Sequence, residues 1–187
     1  MSFVKKNRTL IIFLLILIGW VVFLSFVSPE EIIKTIGINN GYLVAFVVAL
    51  LGGVSTLTAG SFYLLIITLA LGGLNPILLG IVTGPALTVG DGIFFFLGSK
   101  AVNALPKYFK DRLVKLSQWI NGKYSWLIPI LIYFYAGFSL LPGDILMLVL
   151  ALADYPFKKT IIPLFLGNIT LITIMAYLTI QGAKILS

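Results

Sequence analysis

Pro76–Leu97 is a long apolar run with one charge, Asp91, and Thr160–Ile180 is a second with none. About 20 consecutive apolar residues in a helix cross the hydrocarbon of a bilayer, and both runs reach that length. Only a helix or a closed barrel satisfies its backbone there. The runs are continuous and not alternating, which argues against a barrel. Composition agrees with a membrane setting: 60% of residues are hydrophobic and 10% charged, whereas soluble domains carry about a quarter charged residues. The expected class is an all-α polytopic membrane protein.

The chain has no Cys and no His, which excludes disulfide frameworks, thiol chemistry and His-based metal or triad sites. No cofactor and no metal are expected. The net charge of +7 is read as basic cytoplasmic loops meeting anionic lipid, and no nucleic-acid partner is expected.

Lys5, Lys6 and Arg8 precede the apolar run Leu10–Val27. A signal peptide has the same order of parts. The run is long for that, and "SFVSPEE" holds no cleavage site of the A-x-A kind. An uncleaved first transmembrane helix is expected, with its N-terminus inside. Ser28, Pro29, Glu30 and Glu31 then read as the capped start of a short interfacial helix.

Other apolar runs are too short to span. Tyr42–Leu51 ends at Gly52-Gly53, and Phe62–Leu71 follows "TAG". Trp126–Leu141 breaks at Pro142-Gly143 and resumes as Ile145–Ala153. Such pairs read as re-entrant hairpins, allowed where the irregular tip is covered by protein or lines a wet cavity. One constant shift lays Thr56–Leu65 on Ser139–Leu148, Gly60 on Gly143 and Gly84 on Gly167. Each half holds one hairpin and one crossing helix, so the halves are expected to be inverted, an arrangement common in transporters. The chain divides into 1–40 (N-terminal and interfacial helices), 41–99 (first repeat), 100–123 (connector) and 124–187 (second repeat).

In the connector, Phe109, Leu113, Leu116 and Ile120 recur at helical spacing, with Lys107, Lys110, Arg112 and Lys115 between them. A basic amphipathic helix of this kind lies at a membrane interface and meets anionic head groups. Eleven of the 13 basic residues fall on the inside in the inverted-hairpin topology, and ten if Leu127–Ala153 crosses once. Charge barely separates the two topologies, whereas segment length and the Pro-Gly break favour the hairpin.

"LLPGDILMLVLAL…FLGN" and "GGVSTLTAGSFYLLIITLALGG" through "GDGIFFFLGSKA" resemble the DedA/VTT (SNARE-associated Golgi protein) membrane family, closest in plan to the small YqaA-like bacterial members. The resemblance covers about Tyr42 to Ala183. It implies two facing re-entrant hairpins, each followed by a tilted helix. It also implies movement or scrambling of phospholipids and polyprenyl phosphates, proton-coupled in some members. The chain lacks the arginines that larger members carry near the second hairpin, and it has Ser61 near the position of their first-hairpin acid.

Asp144 and Asp91 are the candidate transport or proton residues. A carboxylate at membrane depth costs at least about 2.5 kcal/mol. Asp144 also reads as a cap of the half-helix after Pro142-Gly143, and Asp91 as a residue near the cytoplasmic end reaching toward Lys100. Were the two close, one would hold its proton, because like charges at low dielectric do not both ionise. Gly60, Pro142 and Gly143 are the expected hairpin tips. Thr56, Thr58, Ser61, Ser139 and Asn168 are polar-path candidates or partners of freed backbone. Asn168 and Gln181 also read as interhelical bonds, and Asp154 as a solvated turn residue.

The leading expectation is a lipid transporter or scramblase, and the alternative is a proton- or ion-coupled solute carrier using Asp144 and Asp91. An enzyme is not expected: no GxGD motif of an intramembrane aspartyl protease occurs. An assembly factor is a further option. Membrane lipids are the expected partners, self-association is left open, and a prokaryotic inner membrane is the expected location.

Overall fold

The structure is a computed structural model, and it describes residues 35, 37–52, 56–101, 114–115, 117–122, 125–141 and 143–186. The expected N-terminal helix, the Ser28 cap, Pro142 and most of the connector, with Lys107, Lys110 and Arg112, lie outside these residues. The described residues contain no strand. They form α1 (Ile38–Gly52), α2 (Thr56–Leu71), α3 (Pro76–Ala101), α4 (Ile128–Phe138), α5 (Gly143–Leu152) and α6 (Phe157–Leu186), with a 3-10 turn at Ser125–Leu127.

Helix length sorts these into two groups. At about 1.5 Å per residue, α3 and α6 (26 and 30 residues) reach about 39 and 45 Å. The other four run from 10 to 16 residues, or about 15–24 Å, short of the ~30 Å hydrocarbon. Among the described residues, two helices, over Pro76–Phe96 and Phe157–Ile185, are long and apolar enough to cross a membrane.

α3 and α6 form the central pair and run antiparallel. Gly80 lies against Ile169 and Thr173, Gly84 against Ile169, and Gly92 against the Phe157 ring. Phe157 also stacks obliquely on Phe95 and Phe96, with ring centroids 5.0 Å apart in both cases. The missing side chains of Gly80 and Gly84 permit this approach: a Cβ on Gly80 would lie 2.7 Å from the Ile169 carbonyl oxygen. Each long helix then packs on two short ones. α3 packs on α1 and α5, and α6 on α4 and α2. The first short helix comes from the same half of the chain and the second from the other half.

The turns that lead into the long helices are alike. After α2, the amides of Gly73 and Leu74 donate to the carbonyls of Ala70 and Leu69. After α5, those of Asp154 and Tyr155 donate to Ala151 and Leu150. Both are Schellman caps, with the left-handed position filled by Gly73 (φ 95°) and Asp154 (φ 55°). The following residues, Leu74 and Tyr155, are buried. Asn75 caps α3, its Oδ1 accepting from the Ile77 and Leu78 amides at 2.9 and 3.2 Å, with Pro76 as the first helical residue.

These turns lay Gly73 on Asp154, whereas the shift that aligns Gly60 with Gly143 would lay Gly73 on Pro156. The reason is the tip. Gly60, expected to form the first tip, lies inside the uninterrupted helix α2. A lone glycine costs a helix only about 1 kcal/mol, whereas proline costs about 3 kcal/mol. The second half has Pro142 directly before the aligned glycine, Gly143, and its helix starts only there.

Two apolar cores flank the middle of the α3–α6 pair. One gathers Phe62, Ile66, Leu69, Leu79, Ile172 and Ala176, and the other Phe95, Ile132, Met147, Leu150 and Leu164. The outer surface is also apolar: Leu43, Ile77, Ile81, Phe134, Ile162 and Leu178 are all exposed. Contiguous exposed apolar surface of this kind marks contact with lipid or with another protein.

Candidate functional site

Between the two cores lies a small polar cluster. Asp91 on α3 and Asn168 on α6 are 7% and 6% exposed. The Asn168 amide donates one proton to Asp91 Oδ2 at 3.0 Å and the other to Thr88 Oγ1 at 3.2 Å. Thr88 in turn donates to the Gly84 carbonyl at 2.8 Å. Its hydroxyl is thereby committed as an acceptor toward Asn168. Both neighbours of the amide accept, which sets its NH2 group toward them.

Helical spacing explains why these side chains share one face. Gly84, Thr88 and Asp91 follow one another at four and three residues, on the side of α3 that meets α6. The other buried threonines need no such neighbour. Thr68, Thr83 and Thr160 each donate to the carbonyl four residues earlier in the chain. Among the described residues, Asp91 and Asn168 are the buried polar groups that depend on a second helix.

The fourth member is backbone. Gly143, the first residue of α5, sits directly on the Asp91 carboxylate. A Cβ there would lie 2.6 Å from Oδ1 and 3.1 Å from both Cγ and Oδ2. The carboxylate thus meets the positive end of a half-helix, where free amides and the helix dipole favour negative charge. From the same half of the chain as Asp91, the Tyr63 phenol of α2 lies within its electrostatic reach. One acidic side chain therefore touches or senses α3, α6, α5 and α2.

The remaining sequence candidates distribute as follows. Ser139 caps α4 in an extended conformation (φ −100°, ψ 132°), and its Oγ accepts the Leu141 amide at 3.0 Å. It shapes the second tip. Asp144 is helical, one residue after the Asp91–Gly143 contact. Its side chain, like those of Thr56, Thr58 and Ser61, lies outside the described residues. Asp91, for which a place near the interface was one of two readings, is buried and bonded across helices. Asn168 makes the interhelical bond that was one of its two readings. Thr88 and Tyr63 were not anticipated. Thr88 was findable as the residue one turn before Asp91 on the same face, whereas nothing local marks Tyr63.

No cluster of three or more His, Cys, Asp or Glu side chains suited to a metal occurs among the described residues. A single carboxylate with an amide, a hydroxyl and a helix N-terminus can exchange a proton, hold water or attract a cationic group. Comparison of the chain with protein-family models, with curated proteins and with solved structures gave no match.

Proposed function

We propose that this chain is a polytopic membrane protein of DedA/VTT type that lets phospholipid or polyprenyl-phosphate head groups cross the bilayer, without a chemical step. The observation that carries the reading is the Asp91–Asn168–Thr88 cluster closed by the start of the broken helix α5. Polar groups at this depth are expensive, and they mark pathways for polar substrates or protons. Short helices that end near such a cluster are a transporter device. The antiparallel α3–α6 pair, each helix packed on a short helix of the other half, supports an inverted repeat. The apolar exterior supports insertion in lipid. In this reading α1–α2 and α4–α5 are the two re-entrant hairpins, the N-terminus and the basic connector face the cytoplasm, and the location is a prokaryotic plasma membrane.

The test is lipid scrambling by the purified protein in liposomes, with fluorescent anionic and zwitterionic lipids. Faster exchange than in empty liposomes is expected. Equal rates for every lipid would reject the function.

The buried carboxylate also favours a second reading, a proton- or ion-coupled solute carrier. Asp91→Asn and Asp144→Asn should then each abolish transport and its pH dependence. Transport that persists in both variants excludes coupling through these residues.

A further inference from the structure

The two short-helix pairs are not alike. α1 and α2 pack along each other, whereas α4 and α5 hardly meet. The space between α4 and α5 is an apolar groove of about 520 Å³, within the ~300–1,000 Å³ range of small-molecule sites. Leu131 and Phe134 line one wall, Leu146 and Val149 the other, and Trp119 and Ile120 of the connector close one end. That end is tied in place. The Asn121 amide donates to the Ala153 carbonyl at the end of α5, at 3.3 Å. On α4 the lining runs from Ile128 to Tyr135, so the groove is roughly 10 Å deep at about 1.5 Å per residue.

We propose that this groove holds one acyl chain of an anionic phospholipid, with its phosphate beside Lys115. The lining offers an occupant almost nothing but hydrocarbon, as an acyl chain requires. Charge at the mouth selects the head group. Lys115 is exposed and stands four residues before Trp119, one helical turn away on the same face. Tryptophan beside lysine is the signature of an anchor at the bilayer surface. The chain enters beside Trp119 and runs between α4 and α5 toward the second tip. The site rests on the membrane reading but not on transport, so it is tested without a transport assay.

The probe is phosphatidylglycerol or phosphatidylcholine brominated on the acyl chain, added to the full-length protein in mild detergent. Trp20→Phe with Trp126→Phe leaves Trp119 as the reporter, since bromine quenches indole at contact. Quenching should saturate, at a concentration about fivefold lower for phosphatidylglycerol, because one surface cation is worth about that factor. Val149→Phe, or Leu131→Phe if the first loses helix content, should remove the saturable quenching. Lys115→Glu should keep the quenching and erase the preference. Equal half-saturation for the two lipids, or quenching unchanged by filling the groove, overturns the proposal. So does a lipid-insensitive dimer that Val149→Phe dissociates, which would make a second copy the occupant.

Discussion

Gly143→Ala isolates the contact that joins α5 to Asp91. The added Cβ would stand 2.6 Å from Asp91 Oδ1, closer than carbon and oxygen can pack, and the obstacle on the Gly143 side is backbone. The carboxylate must move. Overpacking of this kind costs about 1–3 kcal/mol, and weakening the 3.0 Å bond from Asn168 adds about 0.6–1.7 kcal/mol, the range for interhelical bonds in membranes. Against this, Gly→Ala in a helical conformation stabilises by about 0.4–1 kcal/mol. The net expectation is a loss of about 1–4 kcal/mol. The decisive measurement is a double-mutant cycle with Asp91→Ala, read by circular dichroism as the protein in mild detergent is unfolded with SDS. Asp91→Ala removes the three atoms nearest the new methyl, so Gly143→Ala should turn neutral or slightly stabilising. If the two changes are instead additive to within about 0.5 kcal/mol, the carboxylate does not rest on the start of α5, and the site as described is wrong.

Gly80→Ala should cost about 1–3 kcal/mol in the same assay, because its Cβ would face the Ile169 carbonyl oxygen at 2.7 Å and no rotamer relieves a backbone clash; an unchanged midpoint refutes the close α3–α6 crossing. The two Schellman turns should respond with opposite signs: Gly73→Ala loses about 1 kcal/mol at φ 95°, and Asp154→Gly gains up to about 1 kcal/mol at φ 55°. Tyr155→Phe should stabilise by about 1 kcal/mol, since its buried hydroxyl has no hydrogen-bond partner among the described residues. Burial raises the Tyr155 phenol above its ordinary value of 10.0, so the stability of its neutral form is complete below that pH and is lost as pH rises past it; the Phe variant should lack this alkaline loss.

Hydropathy made much of the architecture readable. The cores of α3 and α6 coincide with the two long apolar runs, because length and the absence of charge are local properties. The break before α5 was readable from Pro142-Gly143, and the α2–α3 and α5–α6 turns from "LGGLNP" and "ADYP". Gly60 misled because a glycine in an apolar run marks either a break or a close approach, and only the neighbours decide. The site was half legible. A lone carboxylate in each half stood out, and Asn168 stood out in α6. Their pairing did not, because Asp91 and Asn168 are 77 residues apart and which faces of α3 and α6 meet is decided by Gly80 and Gly84. Nothing local separates those glycines from the others in the chain. The match between the two turns was hidden because Gly73 and Asp154 share a backbone conformation without sharing a side chain.

The partnering of Asp91 has a consequence during synthesis. Its hydrogen-bond donor arrives 77 residues later, which at ribosomal speeds of ~5–20 residues per second is a wait of about 4–15 s. In that interval α3 is complete, yet it carries a carboxylate with neither the Asn168 amide nor the start of α5 to receive it. A nascent chain halted between the two helices holds an apolar segment whose acid lacks these two contacts. The packing of α3 is therefore complete only after α6 is made, because Gly80 and Gly84 are shaped to receive Ile169 and Thr173.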